Sequence, residues 1–183
     1  MASLGHIAVG MAAGRWWAGR SRGTPWQAML GFSVLSMLPD ADVAGLALGV
    51  RYGAPWGHRG ATHSLAMAVV VGGAVAAIAW ARTAPDERGA RLPPAALGTV
   101  AALVVASHGL LDAMTDGGKG VALLWPWTTR RFFLPWRPIP VAPIGVGFLS
   151  AEGLEVAAGE AAVFLPLVLY ALWPRRAGAT TDR

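Results

Sequence analysis

The chain has four histidines, and His6, His58, His63 and His108 each lie close to an aspartate, an arginine or the end of an apolar stretch. Their carboxylate companions are Asp40, Asp42 and Asp112. Imidazole nitrogen and carboxylate oxygen together suit zinc, manganese or iron. Cysteine is absent, so a thiolate site and a disulfide framework are both excluded. His108 and Asp112 are four apart, and a helix presents both from one face. That spacing fits two ligands on one cation, a histidine oriented by a carboxylate, or a polar pair joining two helices. Asp40 and Asp42 follow Pro39 in LPDAD. Two carboxylates two residues apart do not share a helix face, but a turn after the proline can aim both inward, and a carboxylate between two cations is a common way to hold a dinuclear site. Asp40 equally fits the N-cap of a helix starting near Ala41.

A third motif, HRGATHS at 58 to 64, sets Arg59 between His58 and His63. A guanidinium there matches a phosphate or carboxylate bidentately and makes Arg59 a candidate catalytic cation beside Asp42 and His63. His63 or Ser64 also suits the cap of the helix that follows, and His58 a solvated loop position. Seven candidate ligands exceed the four that a tetrahedral zinc takes. The expectation is one divalent cation with a neighbouring base, or two cations: zinc first, with manganese or iron compatible. Such a centre lowers the pKa of bound water toward about 7 and polarises a phosphoryl or carbonyl oxygen, which points to hydrolysis of a polar ester.

These residues need a scaffold, and composition dictates its solvent. The 183 residues are 55% hydrophobic and 14% charged, with a mean hydropathy of +0.48. A water-soluble domain of this size could not cover so much apolar surface, so the chain reads as an integral membrane protein. The expected fold is all-α, a bundle of about five transmembrane helices over Leu4–Ala18, Trp26–Val50, Ser64–Arg82, Ala95–Met114 and Val156–Trp173. It forms one domain over 1–174, with a basic, disordered tail at 175–183. Pro39, Asp40 and Asp42 interrupt the second span, and irregular backbone at that depth is tolerated where it lines a wet cavity. Ionisable groups kept inside a membrane usually mark such a cavity. Arg15 in the first span is placed to snorkel to an interface. The stretch from Gly117 to Glu155 contains LLWPWTTRRFFLPWRPIP, too rich in proline for a helix and rich in the Trp and Arg of headgroup level, so it reads as an interfacial loop. The N-terminus has no basic region ahead of its apolar stretch and reads as a retained helix rather than a cleaved signal.

Alternating spans bring the start of the first, the end of the second, the start of the third and the end of the fourth to one membrane face. All seven candidate ligands lie at those places. The opposite side carries Arg15, Arg20, Arg22, Arg82, Arg88, Arg91, Arg175, Arg176 and Arg183, against Arg51, Arg59, Lys119, Arg130, Arg131 and Arg137 on the site side. The positive-inside rule then places the tail in the cytoplasm and the site on the periplasmic face. The net charge of +5 sits in short loops between apolar segments, where it contacts lipid headgroups; no basic stripe with stacking aromatics suggests nucleic acid.

Taken in order, His6, LPDAD, HRGATHS, HGLLDAMTDGG at 108 to 118 and LLWPWTTRRF at 123 to 132 resemble the YdjM-like family of bacterial inner-membrane, metal-dependent hydrolases. The resemblance covers roughly residues 1 to 135. It implies that His6, Asp40, Asp42, His58, His63, His108 and Asp112 belong to a metal centre, with Arg59, Thr62 and Ser64 close by. Glu152 and Glu155 lie beyond it and are open as a further ligand or base. HGLLD has the H-x-x-x-D spacing of histidine-dependent lipid phosphatases, but their other elements are missing, and the CDP-alcohol phosphotransferase pattern is not matched. The resulting expectation is a metal-dependent hydrolase of the inner membrane. It cleaves an ester or phosphoester of a lipid-like, amphiphilic substrate, phospholipid first, with the aromatics of the 125–136 loop holding the headgroup. The rival is an ion- or proton-coupled transporter using the same Asp/His cluster, disfavoured by the lack of an inverted repeat. A metal-stabilised scaffold without turnover is a third reading.

Overall fold

The computed structural model describes residues 3–21, 24–82 and 93–174. The tail at 175–183, with Arg175, Arg176 and Arg183, and also Arg22, Arg88 and Arg91, lies outside them. The chain is a bundle of helices: α1 (Ser3–Ala18), α2 (Pro25–Met37), the short α3 (Val43–Ala47), α4 (Leu65–Arg82), α5 (Pro94–Ala113) and α6 (Ala151–Leu172). Among the described residues, four stretches are long and apolar enough to cross a membrane: Pro25–Ala47, Leu65–Arg82, Pro94–Ala113 and Ala151–Leu172. With 16 residues, α1 is shorter than these and packs against α2, α5 and α6 as the fifth rod of the bundle.

Helices in lipid gain little from burying apolar surface against each other, so close backbone approach through small residues does much of the work. Gly10 and Gly14 bring α1 onto α2 so tightly that a Cβ on either would stand 2.4 Å from the Cα of Ser33 or Met29. Gly72 of α4 and Gly98 of α5 meet in the same way, each Cβ position lying 2.5 Å from the other's carbonyl oxygen. Phe32, Ala101 and Val104 join α2 to α5, and Ala8, Phe164 and Ile139 join α1 and α6 to the loop beyond α5. The outward faces present Leu30, Val34, Val69, Leu103 and Val163, apolar side chains suited to hydrocarbon.

Two charged residues inside the spans have partners in the bundle. Glu160, buried in α6, accepts a hydrogen bond from the Gly5 N–H at 3.3 Å, one of the first-turn donors that α1 cannot satisfy itself. Arg15 donates to the Trp173 carbonyl at the end of α6, where a cation also complements the helix dipole. α6 starts at Ala151, five residues before the expected Val156, because the Ser150 hydroxyl caps it by accepting from Gly153 N–H at 3.2 Å. Glu152 and Glu155 therefore sit exposed on the first turns of α6. Pro166 lies within α6 without ending it.

The Pro/Trp-rich segment has two halves. Trp127 and Trp136 are exposed, as expected for an interfacial loop, but Val121, Leu123 and Ile139 fold back into the bundle. Single bridges between Thr115 and Ile139 and between Val121 and Phe132 hold it there.

Overpacking a close contact costs about 1–3 kcal/mol. Gly98→Leu should therefore lower the thermal unfolding midpoint of the detergent-purified protein. Gly73→Ala, where nothing lies within 4 Å, should not lower it.

Candidate metal centre

Pro39 ends α2, and the chain tightens into a 3₁₀ turn over Leu38–Asp42. In 3₁₀ geometry the residue at 39 would donate its N–H to the Ser36 carbonyl, and proline has none to give. His108 uses that acceptor, its Nδ1 lying 2.6 Å from Ser36 O. Asp40 sits inside the turn rather than capping a helix, and its carboxylate reaches the histidines. Asp42 occupies the N-cap position of α3 but makes no capping hydrogen bond.

The HRGATHS segment needs its glycines. A Cβ at Gly60 would stand 2.3 Å from the Pro55 carbonyl oxygen, and one at Gly57 2.2 Å from that of Arg51. Arg59 adopts φ 61°, a left-handed conformation costly for a side chain of its size. The compensation is visible, since its buried guanidinium donates to Asp112 Oδ1 at 3.2 Å, Thr115 Oγ1 at 3.0 Å and Gly117 O at 3.1 Å. Ser64 takes the capping role at the start of α4, its hydroxyl accepting from Met67 N–H at 3.1 Å. His63 is thereby left to face the interior.

Four side chains converge. His63 Nε2 lies 3.1 Å from His108 Nε2, 3.4 Å from Asp40 Oδ1 and 3.4 Å from Asp112 Oδ2. His108 Nε2 lies 3.3 Å from Asp40 Oδ1 and 3.7 Å from Asp112 Oδ2. A tetrahedron with bonds of about 2.0–2.1 Å to its centre has edges of about 3.3–3.4 Å. The five separations cluster around that length, and half-buried Asp40 with buried His63, His108 and Asp112 could hold a metal ion.

The remaining polar groups orient these four. With Nδ1 donating to Ser36 O, His108 keeps its Nε2 lone pair free, as ligation requires. His63 turns Nδ1 toward Asp42 Oδ2 at 3.1 Å. Asp42 is in turn held by His58 Nδ1 at 2.7 Å and by the Thr62 hydroxyl at 2.5 Å. Arg59 donates to Asp112 Oδ1, and Asp112 Oδ2 faces the cluster. Burial works against a charged His63, but Asp112, Asp40 and Asp42 outweigh it and push its pKa up to about 10.

The seven sequence candidates thus divide into different places. Asp42, His58 and His63 form a second close group that shares His63 through its other nitrogen. His6 stands beside the cluster, its ring stacked on His108 at 3.6 Å and 8°, with Nε2 3.8 Å from Asp112 Oδ1. Neither nitrogen of this buried ring has a hydrogen-bond partner among the described residues.

A cavity of about 370 Å³ opens onto the cluster. Its lining combines polar Asp40, Tyr52, His58, Arg59 and Asp112 with apolar Met37, Val43, Val141, Ile144 and Phe148. Sequence reading missed Tyr52, whose ring packs edge-on against His58 at 5.2 Å and whose hydroxyl is held above its ordinary pKa by burial. It also read Arg131 as one more interfacial cation. Arg131 instead donates to the carbonyls of Tyr52, Ala54, His58 and Gly120, clamping the histidine loop to the segment after α5. Backbone acceptors carry no residue-type signature, so no motif could have signalled that clamp.

A model of the family described as YdjM inner membrane protein matches residues 1–178. The "Inner membrane protein YbcI" of Escherichia coli (strain K12) is 44% identical over 149 residues, covering 78% of this chain and 81% of that protein. No solved structure matches.

Metal ligation requires a neutral imidazole, so a cation must displace the His63 proton at pH 7. Zinc titrated into weakly buffered protein should release about one proton per chain and bind more tightly as pH rises. Removing an orienting partner typically costs about 10–100-fold in affinity. Asp42→Asn should therefore keep its binding stoichiometry with an affinity loss of that order, whereas His108→Ala should abolish binding in the same calorimetric titration.

Proposed function

The chain belongs to the YdjM inner membrane protein family, and on that premise we propose that it is a membrane-embedded hydrolase acting on an ester or phosphoester of an amphiphilic substrate, with one divalent cation held by Asp40, His63, His108 and Asp112. The observation that carries this reading is the set of donor separations from 3.1 to 3.7 Å among those four residues, at the wall of a cavity. Zinc suits two imidazoles and two carboxylates, and manganese or iron is compatible. Bound there, a divalent cation polarises a phosphoryl or carbonyl oxygen and makes water more acidic.

The chain's own residues supply the rest. His58, tied through Nδ1 to Asp42 and lining the cavity, is a carboxylate-oriented imidazole suited to take or give a proton there. Asp42 fixes the orientation of both His58 and His63. Arg59 places a permanent positive charge against Asp112 at the cavity wall, which offsets negative charge gathering on substrate oxygens. Tyr52 adds a neutral hydroxyl. Val141, Ala142, Pro143, Ile144 and Phe148 line the same cavity with apolar side chains, which matches a substrate with both polar and hydrocarbon parts.

The reading places the cavity on the periplasmic face, since Arg15, Arg20 and Arg82 cluster at the other helix ends. The cysteine-free chain makes that testable. Arg130→Cys, on the exposed loop of the site face, should react with a membrane-impermeant maleimide in cells with a permeabilised outer membrane, whereas Arg82→Cys should react only after lysis.

For activity, zinc-loaded protein in mixed micelles should release inorganic phosphate or a phosphorylated headgroup from an anionic phospholipid panel. Asp40→Asn and His63→Ala should lose at least about 100-fold, in line with loss of a metal's contribution of several kcal/mol. Ion or proton flux across liposomes, sensitive to the same substitutions and without bond cleavage, would replace this reading with that of a carrier.

A further inference from the structure

A second cavity, of about 610 Å³, lies in the groove between α1 and α2. Its walls include Met11, Met29, Leu30, Val34 and Leu38, and at one end Met37. Met37 also lines the cavity at the Asp/His cluster, so the groove and the polar cavity meet at one side chain. Three residues beyond it comes Asp40. Leu30, Val34 and Met37 recur at helical spacing on one face of α2, with Leu38 just past its end, so the groove follows the chain for ~12 Å toward the cluster.

We propose that this groove holds one acyl chain of a membrane glycerophospholipid whose polar head occupies the cavity at Asp40 and Asp112, reached sideways from the bilayer. The inference rests on the reading of that cavity as the site for a polar head. Three observations favour an acyl chain over a helix of a second copy. The wall is almost wholly apolar, and its one hydroxyl, Ser33, is already donated to the Ile7 carbonyl at 3.2 Å. Met11, Met29 and Met37 supply unbranched, adaptable side chains that conform to a flexible chain. Helix docking in membranes uses small residues for close approach, and here Gly10 and Gly14 are already used between α1 and α2. The groove itself offers large side chains, of which Leu30 and Val34 are each 59% exposed.

The test uses the full-length protein in vesicles of phosphatidylethanolamine and phosphatidylglycerol containing a phospholipid with a photoreactive group in mid-chain. Lipid adducts are mapped by mass spectrometry. Adducts should concentrate on Met11, Met29 and the segment from Leu30 to Leu38, at least fivefold above the equally apolar outer faces of α4 and α6. Val34→Trp, which fills the groove away from the cluster, should remove that excess while zinc stoichiometry stays at the wild-type value. An even spread of adducts over all outer faces, or an excess that survives Val34→Trp, would overturn the proposal. Retained chain labelling with no cleavage of any lipid would sink the hydrolase reading and leave the groove standing, so the two failures are separable.

Discussion

Two imidazole nitrogens that face each other at 3.1 Å inside a membrane protein, with two carboxylates closing the same small space, define what the rest of the structure must accommodate. Lone pairs and negative charges repel at this range, and burial of His63, His108 and Asp112 weakens the screening that bulk water would supply. A proton or a metal cation at the centre relieves that repulsion. The nearby polar groups then serve orientation: Ser36 O fixes the His108 tautomer, Asp42 fixes His63, and Arg59 holds one oxygen of Asp112 while the other faces the two imidazoles. Local costs fit the same scheme. The left-handed backbone at Arg59 and the broken helix at Pro39 are each tolerated because they aim a group at the cluster.

The scaffold reconciles a polar centre with a lipid exterior by separating the two jobs along each helix. In α5 the buried face runs from Gly98 through Ala101, Val104 and Val105 to His108 and Asp112. The first part packs backbone against backbone and the last turns carry the polar cluster. α2 packs through Phe32, and within about one turn past Ser36 the chain places Asp40 in the polar cluster. Buried charge away from the site is confined to places where a helix end needs it, as with Glu160 at the start of α1.

Much of this was legible in the sequence. Hydropathy marks α4 and α5 to within a residue or so, and alternation of spans brings LPDAD, HRGATHS and HGLLD to one face, because ends of antiparallel rods meet whatever their side-chain detail. Spacing also identifies His108 and Asp112 as a pair on one helix face. What spacing leaves open is which of seven ligand-type side chains converge and which orient others. That depends on side-chain direction in a 3₁₀ turn and a glycine-dependent loop, where no fixed period applies. The start of α6 was hidden for a similar reason: Ser150 is an ordinary serine until its hydroxyl meets the Gly153 N–H. Arg59 was legible as a cation near the site, but its hydrogen bonds to Asp112, Thr115 and Gly117 join residues more than fifty positions apart.

The chain order of the four convergent residues has a consequence for assembly. Asp40, His63, His108 and Asp112 are all supplied by the first 112 residues, whereas the strap at 141–148 and helix α6 come later and contribute cavity wall and packing but none of the four. During synthesis the complete donor set emerges before the segments that enclose it. The later part of the polypeptide therefore closes over a polar centre whose parts have already been made, so that the chamber is sealed last.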